Sequence, residues 1–273
     1  MTINRQRFCI NRKVAINLDI EQFFRLVQHT GLNKVEIRND MPEGRVTDGL
    51  SPEKVHKLAT DYGLEITTIN AVYPFNQLNA RTLALTESLL QDAQGVGAKA
   101  LVLCPLNNGT PVPPEQTMNA IARLTPLFKK YGIQGLIEPL GFRHSSLRSA
   151  IQTQTLIREA GSPFGVLLDS FHHYLYEKAE QDFADNIDIS GIGLVHLSGV
   201  EDSRPRETLT DEDRVMLTDK DVMDNIGLVR RLEQLGYRGI YSFEPFSSTL
   251  TRWGEDEIKN QINRSIDLIT AAI

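Results

Sequence analysis

Basic residues are the minority. Against 35 Asp and Glu stand 29 Lys and Arg, a formal charge of −6 over 273 residues, with the acids spread along the chain rather than gathered in a tail. Phosphate binding wants a basic face, so no nucleic-acid partner is expected. No apolar run approaches the roughly 20 residues of a membrane span, so no membrane partner is expected either. The opening MTINRQRFCINRK lacks the apolar core of a secretory leader, and the expected compartment is the cytoplasm. Only Cys9 and Cys104 carry thiols. Both sit in apolar strand-like segments and read as buried thiols of a reducing compartment, able to pair only if the fold brings them together. INRKVAIN, at the first strand, holds no glycine, which counts against a dinucleotide-binding Rossmann domain. No Pro/Gly/Ser-rich linker or low-complexity tract divides the chain, so residues 1–273 are expected to form one domain.

What is present is a rhythm. Apolar strand-like runs are expected at Phe8–Ile10, Lys34–Ile37, Glu65–Asn70, Ala100–Cys104, Gly135–Glu138, Gly165–Asp169, Gly193–Leu197 and Gly239–Glu244. Helical periodicity fills Asp19–Thr30, Pro52–Tyr62, Leu78–Val96, Pro114–Tyr131, Ser149–Ala160, Asp221–Leu235 and Glu255–Ala272, and more weakly Glu177–Ile189. Gly31, Gly63, Gly97, Gly132, Gly161 and Gly236 follow helices, where a left-handed residue closes the last turn. Strand–helix alternation at a spacing of roughly 30 residues predicts an α/β fold, a (β/α)8 TIM barrel with its active site at the C-terminal strand ends. The longest non-periodic stretch, Ser198 to Lys220, follows the seventh strand and is expected on that active-site face.

Four consecutive strands finish on metal-capable side chains: QGLIEP on Glu138, GVLLDS on Asp169, GLVHLS near its end on His196, and IYSFEP on Glu244. Taken singly, a strand-end carboxylate is more often a helix cap or a rim salt bridge, and a histidine on an apolar strand a satisfied core residue. Four in succession are improbable as independent accidents. In a closed barrel they converge on one rim as an O/N ligand set for Mn²⁺, Mg²⁺, Co²⁺ or Zn²⁺, with no organic cofactor. The ion would also offset the cost of burying the anions. Glu36, in KVEIR, and Asn70, in TTINAV, face the same rim, either as substrate hydroxyl contacts or as rim hydrogen bonds. Two glutamates beside a metal-bound polyhydroxy ketone suit proton transfer between neighbouring carbons through an enediolate, an isomerisation or epimerisation.

VEIR at Val35–Arg38, INAVYPF at Ile69–Phe75, GVLLDSFHHY at Gly165–Tyr174, LTDEDRV at Leu209–Val215 and SFEPF at Ser242–Phe246 together resemble the xylose isomerase-like barrels. Within them the nearest likeness is to the 2-keto-myo-inositol (inosose) isomerases. The resemblance covers essentially the whole chain. It implies a divalent metal on Glu138, Asp169, His196 and Glu244, with Glu138 and Glu244 exchanging the proton. It also implies a polyhydroxy ketone or cyclitol substrate held by His172 and Arg214, and it leaves room for a homo-oligomer. Alone, Arg214 would read as a surface charge in the run DEDR. His173 is expected to turn away from the pocket or pack on the next helix.

Two departures from the family pattern stand out. After His196 the chain runs Leu-Ser-Gly-Val-Glu-Asp, without the usual early aspartate, and after LTDEDRV it reads MLTDKDVMDN rather than Pro-Gly-x-Gly. Related 3-epimerases, hydroxypyruvate isomerases and inosose dehydratases use the same four ligands. A three-metal endonuclease would need more histidines than the six present. A catalytically silent sugar-binding barrel would need no acid/base pair.

Overall fold

Alternation along the strands sorts the apolar residues into two cores. Ala100, Val102, Leu136, Leu167 and Leu194 form one cluster that plugs the barrel axis. Their neighbours, among them Leu101, Ile137, Val166, Leu168 and Val195, point outward into the larger cluster shared with the helices. The computed structural model describes residues 3–42, 44–184 and 187–273.

The strands are β1 (Phe8–Asn11), β2 (Lys34–Arg38), β3 (Glu65–Val72), β4 (Ala100–Leu103), β5 (Gln134–Ile137), β6 (Gly165–Asp169), β7 (Ile192–Leu197) and β8 (Ile240–Phe243). They pair in sequence order as a closed barrel, all in parallel, with β8 returning to β1. The helices are α1 (Ile20–His29), α2 (Pro52–Asp61), α3 (Ala80–Val96), α4 (Pro114–Tyr131), α5 (Ala150–Glu159), α6 (Ser170–Leu175), α7 (Ala179–Ala184), α8 (Asn225–Gln234) and α9 (Glu255–Ala272). The protein is a (β/α)8 TIM barrel. Among the described residues, no helix is long and apolar enough to cross a membrane.

Helix boundaries follow local chemistry. Asp19 lies just outside α1 and caps it in a reciprocal box with Gln22, and Asn79 and Ser149 cap α3 and α5 in the same position. All six helix-closing glycines have positive φ, and Gly97 and Gly132 are left-handed caps of α3 and α4. Three expectations are corrected. The helix expected from Asp221 starts at Asn225, because the Asp221 carboxylate accepts from the N–H groups of Val200, Met223 and Asn225 and folds a turn instead. The weak helix Glu177–Ile189 shrinks to α7 and a 3-10 turn at Ile189–Gly191; Asp185 and Asn186 lie outside the described residues. The short α6 was not expected at all.

Cys9 is buried, whereas Cys104 is only half-buried, and both are free thiols. Within Val72–Phe75, Tyr73 lines the cleft, while Val72 and Phe75 are core. His173 packs edge-on against Phe183 of α7, ring centres 5.1 Å apart, away from the cleft.

Candidate metal and acid–base site

The ligand layer lies one inward step above the apolar plug. Glu138 follows Leu136 by two residues, Asp169 follows Leu167, and His196 follows Leu194, so period two turns all three the same way as the plug. Glu138 and Glu244 stand one residue beyond β5 and β8, yet their N–H groups still donate to Leu103 and Leu197 of the neighbouring strands, at 3.1 and 2.9 Å. The barrel therefore fixes their backbones as firmly as strand residues. Glu138, Asp169, His196 and Glu244 are all buried, and one donor atom from each lies within 4.8 Å of the others.

His196 Nδ1 is 3.0 Å from Glu244 Oε2 and 3.8 Å from both Glu138 Oε1 and Asp169 Oδ2. No hydrogen bond satisfies this buried nitrogen. An imidazole nitrogen without a partner, facing three carboxylate oxygens, is a donor set that fits a divalent cation. The opposite nitrogen, Nε2, meets Glu36 at 3.0 and 3.1 Å. That contact sets the ring plane and leaves Nδ1 free as a ligand.

Register explains Glu36. It pairs with Asn11 on one side and Thr68 on the other. Its carboxylate accepts from Ser242 and Thr68, from Asn70 at 3.1 Å and from Asn11 at 3.3 Å. Burial works against its charge, but the charge and hydrogen bond of His196, with Ser242, hold it down at about 2. Fully buried, with donors on both oxygens, Glu36 faces the histidine rather than the cleft. Asn70 lines the cleft while its amide donates to Glu36 and Thr68.

Asp169 holds two roles at once. Oδ1 caps α6 by accepting from the His172 N–H at 2.9 Å, and Oδ2 accepts from Arg214 at 2.6 Å. The cap delivers His172 to the cleft wall, where its Nδ1 is buried without a partner. Gly141 makes this possible: a Cβ there would fall 2.0 Å from the His172 carbonyl. Phe142, next along, stands edge-on to the His172 ring. Burial lowers the His172 pKa and keeps the ring neutral.

Arg214 is buried, far from the surface charge its sequence suggests. Its Nη2 donates to Asp169 and, at 2.9 Å, to Glu244 Oε2, while Nε reaches Ser198 and Nη1 reaches Asp211. Burial opposes charge on Glu244, but His196, Arg38 and Arg214 hold its pKa well down. Burial and the negative charge of Glu244 push Glu138 the other way. The two carboxyls are therefore pushed in opposite directions in the protein alone.

A cavity of about 350 Å³ opens above these groups. Sequence reasoning missed several of its residues. Arg38 sits two positions after Glu36, on the same face of β2, and the alternation of KVEIR was the available signal. Cys104, two after Val102, follows the same rule and places its Sγ 3.4 Å from Glu138 Oε2. Asp40, Phe142, Asp211 and Phe246 come from loops, where no periodicity marks them.

The C-terminal rim of this closed barrel gathers three carboxylates and a histidine that could hold a metal ion. Residues 24–271 match the family described as the xylose isomerase-like TIM barrel, and the chain belongs to that family. Among solved structures, a xylose isomerase domain-containing protein from Salmonella typhimurium LT2 is 67% identical, covering 98% of this chain and 99% of that one at a TM-score of 0.97. The IolI protein, solved with a bound zinc atom, is 19% identical over 100% of this chain and 99% of its own, TM-score 0.85. D-Psicose 3-epimerase from Clostridium cellulolyticum H10, solved with D-tagatose, is 14% identical over 100% and 99%, TM-score 0.71. No curated protein matches the chain.

Proposed function

We propose that the protein is a metal-dependent isomerase of an uncharged polyhydroxy ketone, with an inosose as the first candidate. The observation that carries the reading is the orphaned Nδ1 of His196 facing Glu138, Asp169 and Glu244. These four side chains would hold the cation, and the zinc of IolI makes Zn²⁺ the first ion to test. A divalent ion here would polarise adjacent carbonyl and hydroxyl oxygens and acidify the C–H between them. Glu244 and Glu138 would exchange the proton, Glu244 taking it from one carbon and Glu138 delivering one to the next. His172 Nδ1 and Asn70 face the cleft as substrate hydroxyl contacts, with Arg214 alongside.

Charge selects among the related reactions. Among the described residues, the cleft is lined by two cations, Arg38 and Arg214, and carboxylates already engage both. A phosphate or carboxylate on the substrate would find no free arginine, which favours inososes and ketohexoses over hydroxypyruvate. The motifs DSFH and LTDEDRV favour an inosose over a ketohexose. The test is to incubate Zn²⁺- or Mn²⁺-loaded protein with inososes, ketohexoses and hydroxypyruvate in D₂O and follow deuterium uptake by NMR. Exchange is expected with an inosose, and Glu244→Gln is expected to lose it by at least ~10³-fold while still binding the sugar. Exchange that survives in Glu244→Gln removes the assigned role. Silence across the panel with metal bound favours a sugar-binding barrel.

A further inference from the structure

Two arginines reach Glu244, one to each of its carboxylate oxygens. Arg214 donates to Oε2, the oxygen 3.0 Å from His196 Nδ1. Arg38 donates through Nη1 to the other oxygen, Oε1, which also accepts from Asn11 at 3.3 Å. Arg38 is itself clamped. Its Nε and Nη2 form a two-pronged pair with Asp40 at 2.7 and 2.9 Å, and Nη1 also donates to Asn11 Oδ1 at 3.2 Å. The Phe246 ring lies against both guanidiniums, 5.2 Å from Arg38 and 4.5 Å from Arg214. With Arg38 buried and three of its contacts fixed, Oε1 cannot rotate toward His196 without breaking charge-assisted bonds.

We propose that Arg38 is a positioning residue that makes Glu244 a one-oxygen ligand: it holds Oε1 away from the metal position and so leaves only Oε2 to coordinate. A carboxylate binds a divalent ion through one or both oxygens, and the groups around the ligand decide which. The inference rests on the metal reading above and goes beyond it, since the four-ligand set does not say how many oxygens Glu244 contributes.

The test uses Co²⁺ in place of the native ion, because its visible d–d absorption weakens as coordination number rises. Arg38→Met should bind Co²⁺ with a molar absorptivity lowered by about half as Oε1 enters the coordination sphere. At saturating metal, its kcat for exchange should fall by about 10–100-fold with KM changed much less. Arg38→Lys, which keeps a cation beside Oε1, should return the spectrum toward wild type. If Arg38→Met fails to fold by circular dichroism, Asp40→Asn takes its place. Asp40 is half-exposed, and its loss frees the clamp on Arg38, so the spectrum should move the same way. A spectrum identical to wild type in a folded, Co²⁺-bound variant overturns the proposal and leaves the metal site standing. Absence of d–d bands in the wild-type protein removes the metal reading itself, and this inference with it.

Discussion

Turned one way, the imidazole of His196 faces three carboxylate oxygens; turned the other, it leans on Glu36, which never reaches the cleft. The neighbouring histidines show how sharply position divides one residue type. His172 is delivered to the cleft by the Asp169 cap, whereas His173, one step further round α6, packs on Phe183. Burial pushes the His173 imidazole down to about 4. In the unfolded chain the same ring takes its proton near 6.5. Its stabilising contribution is therefore complete above pH 6.5 and is lost as the pH falls toward 4, because the unfolded state then binds a proton that the native state refuses. His173→Gln should flatten the stability slope between pH 6.5 and 4 by up to about 1.4 kcal/mol per pH unit. Urea unfolding of both proteins at several pH values checks this, and parallel pH profiles would show that the ring is not held neutral.

Strands, long helices and the convergence of Glu138, Asp169, His196 and Glu244 were legible in the sequence because each rests on a local period: two for KVEIR or GVLLD, 3.6 for the helices, and glycine where a turn must go left-handed. Elements too short for a period were not. α6 has six residues, and its one signal, Asp169 as a cap, coincided with the residue read as a metal ligand. Arg38 was missed, and Arg214 was reached only through the family resemblance, for a different reason: charge reads as exposure until the fold supplies anions to bury it. Arg214 reaches the site because the loop after β7 folds back, with Gly199 and Val215 exchanging two backbone hydrogen bonds of 2.7 and 2.9 Å. A Cβ on Gly199 would fall 3.0 Å from the Met216 carbonyl and 3.1 Å from Leu217 Cα, both backbone. Gly199→Ala should thus part this bridge, cost about 1–3 kcal/mol, and speed proteolytic cleavage within residues 198–220. Cleavage at the wild-type rate would mean that the loop is held by other contacts.

The closed ring joins β8 to β1, and the candidate site lies across that join: Glu244 follows β8, while Asn11 and Arg38, which hold it, come from β1 and β2. A bound ion would link β5, β6, β7 and β8, and through these contacts the opening strands. At a free Zn²⁺ concentration a thousandfold above Kd, linkage gives about 4 kcal/mol of added stability. Thermal melts should rise on loading and fall back when a chelator strips the ion; a Tm indifferent to Zn²⁺ would place binding outside this cluster. The register carries a further implication. Every would-be ligand belongs to the second half of the barrel, and most of the groups that aim those ligands, Asn11, Glu36, Arg38, Thr68 and Asn70, belong to the first. On the proposed reading neither half alone would contain a working centre: the two halves would divide the labour, one doing chemistry and the other keeping it in aim. On that reading, a variant drawn from the opening seventy residues would silence the reaction without removing a single atom that would touch the metal.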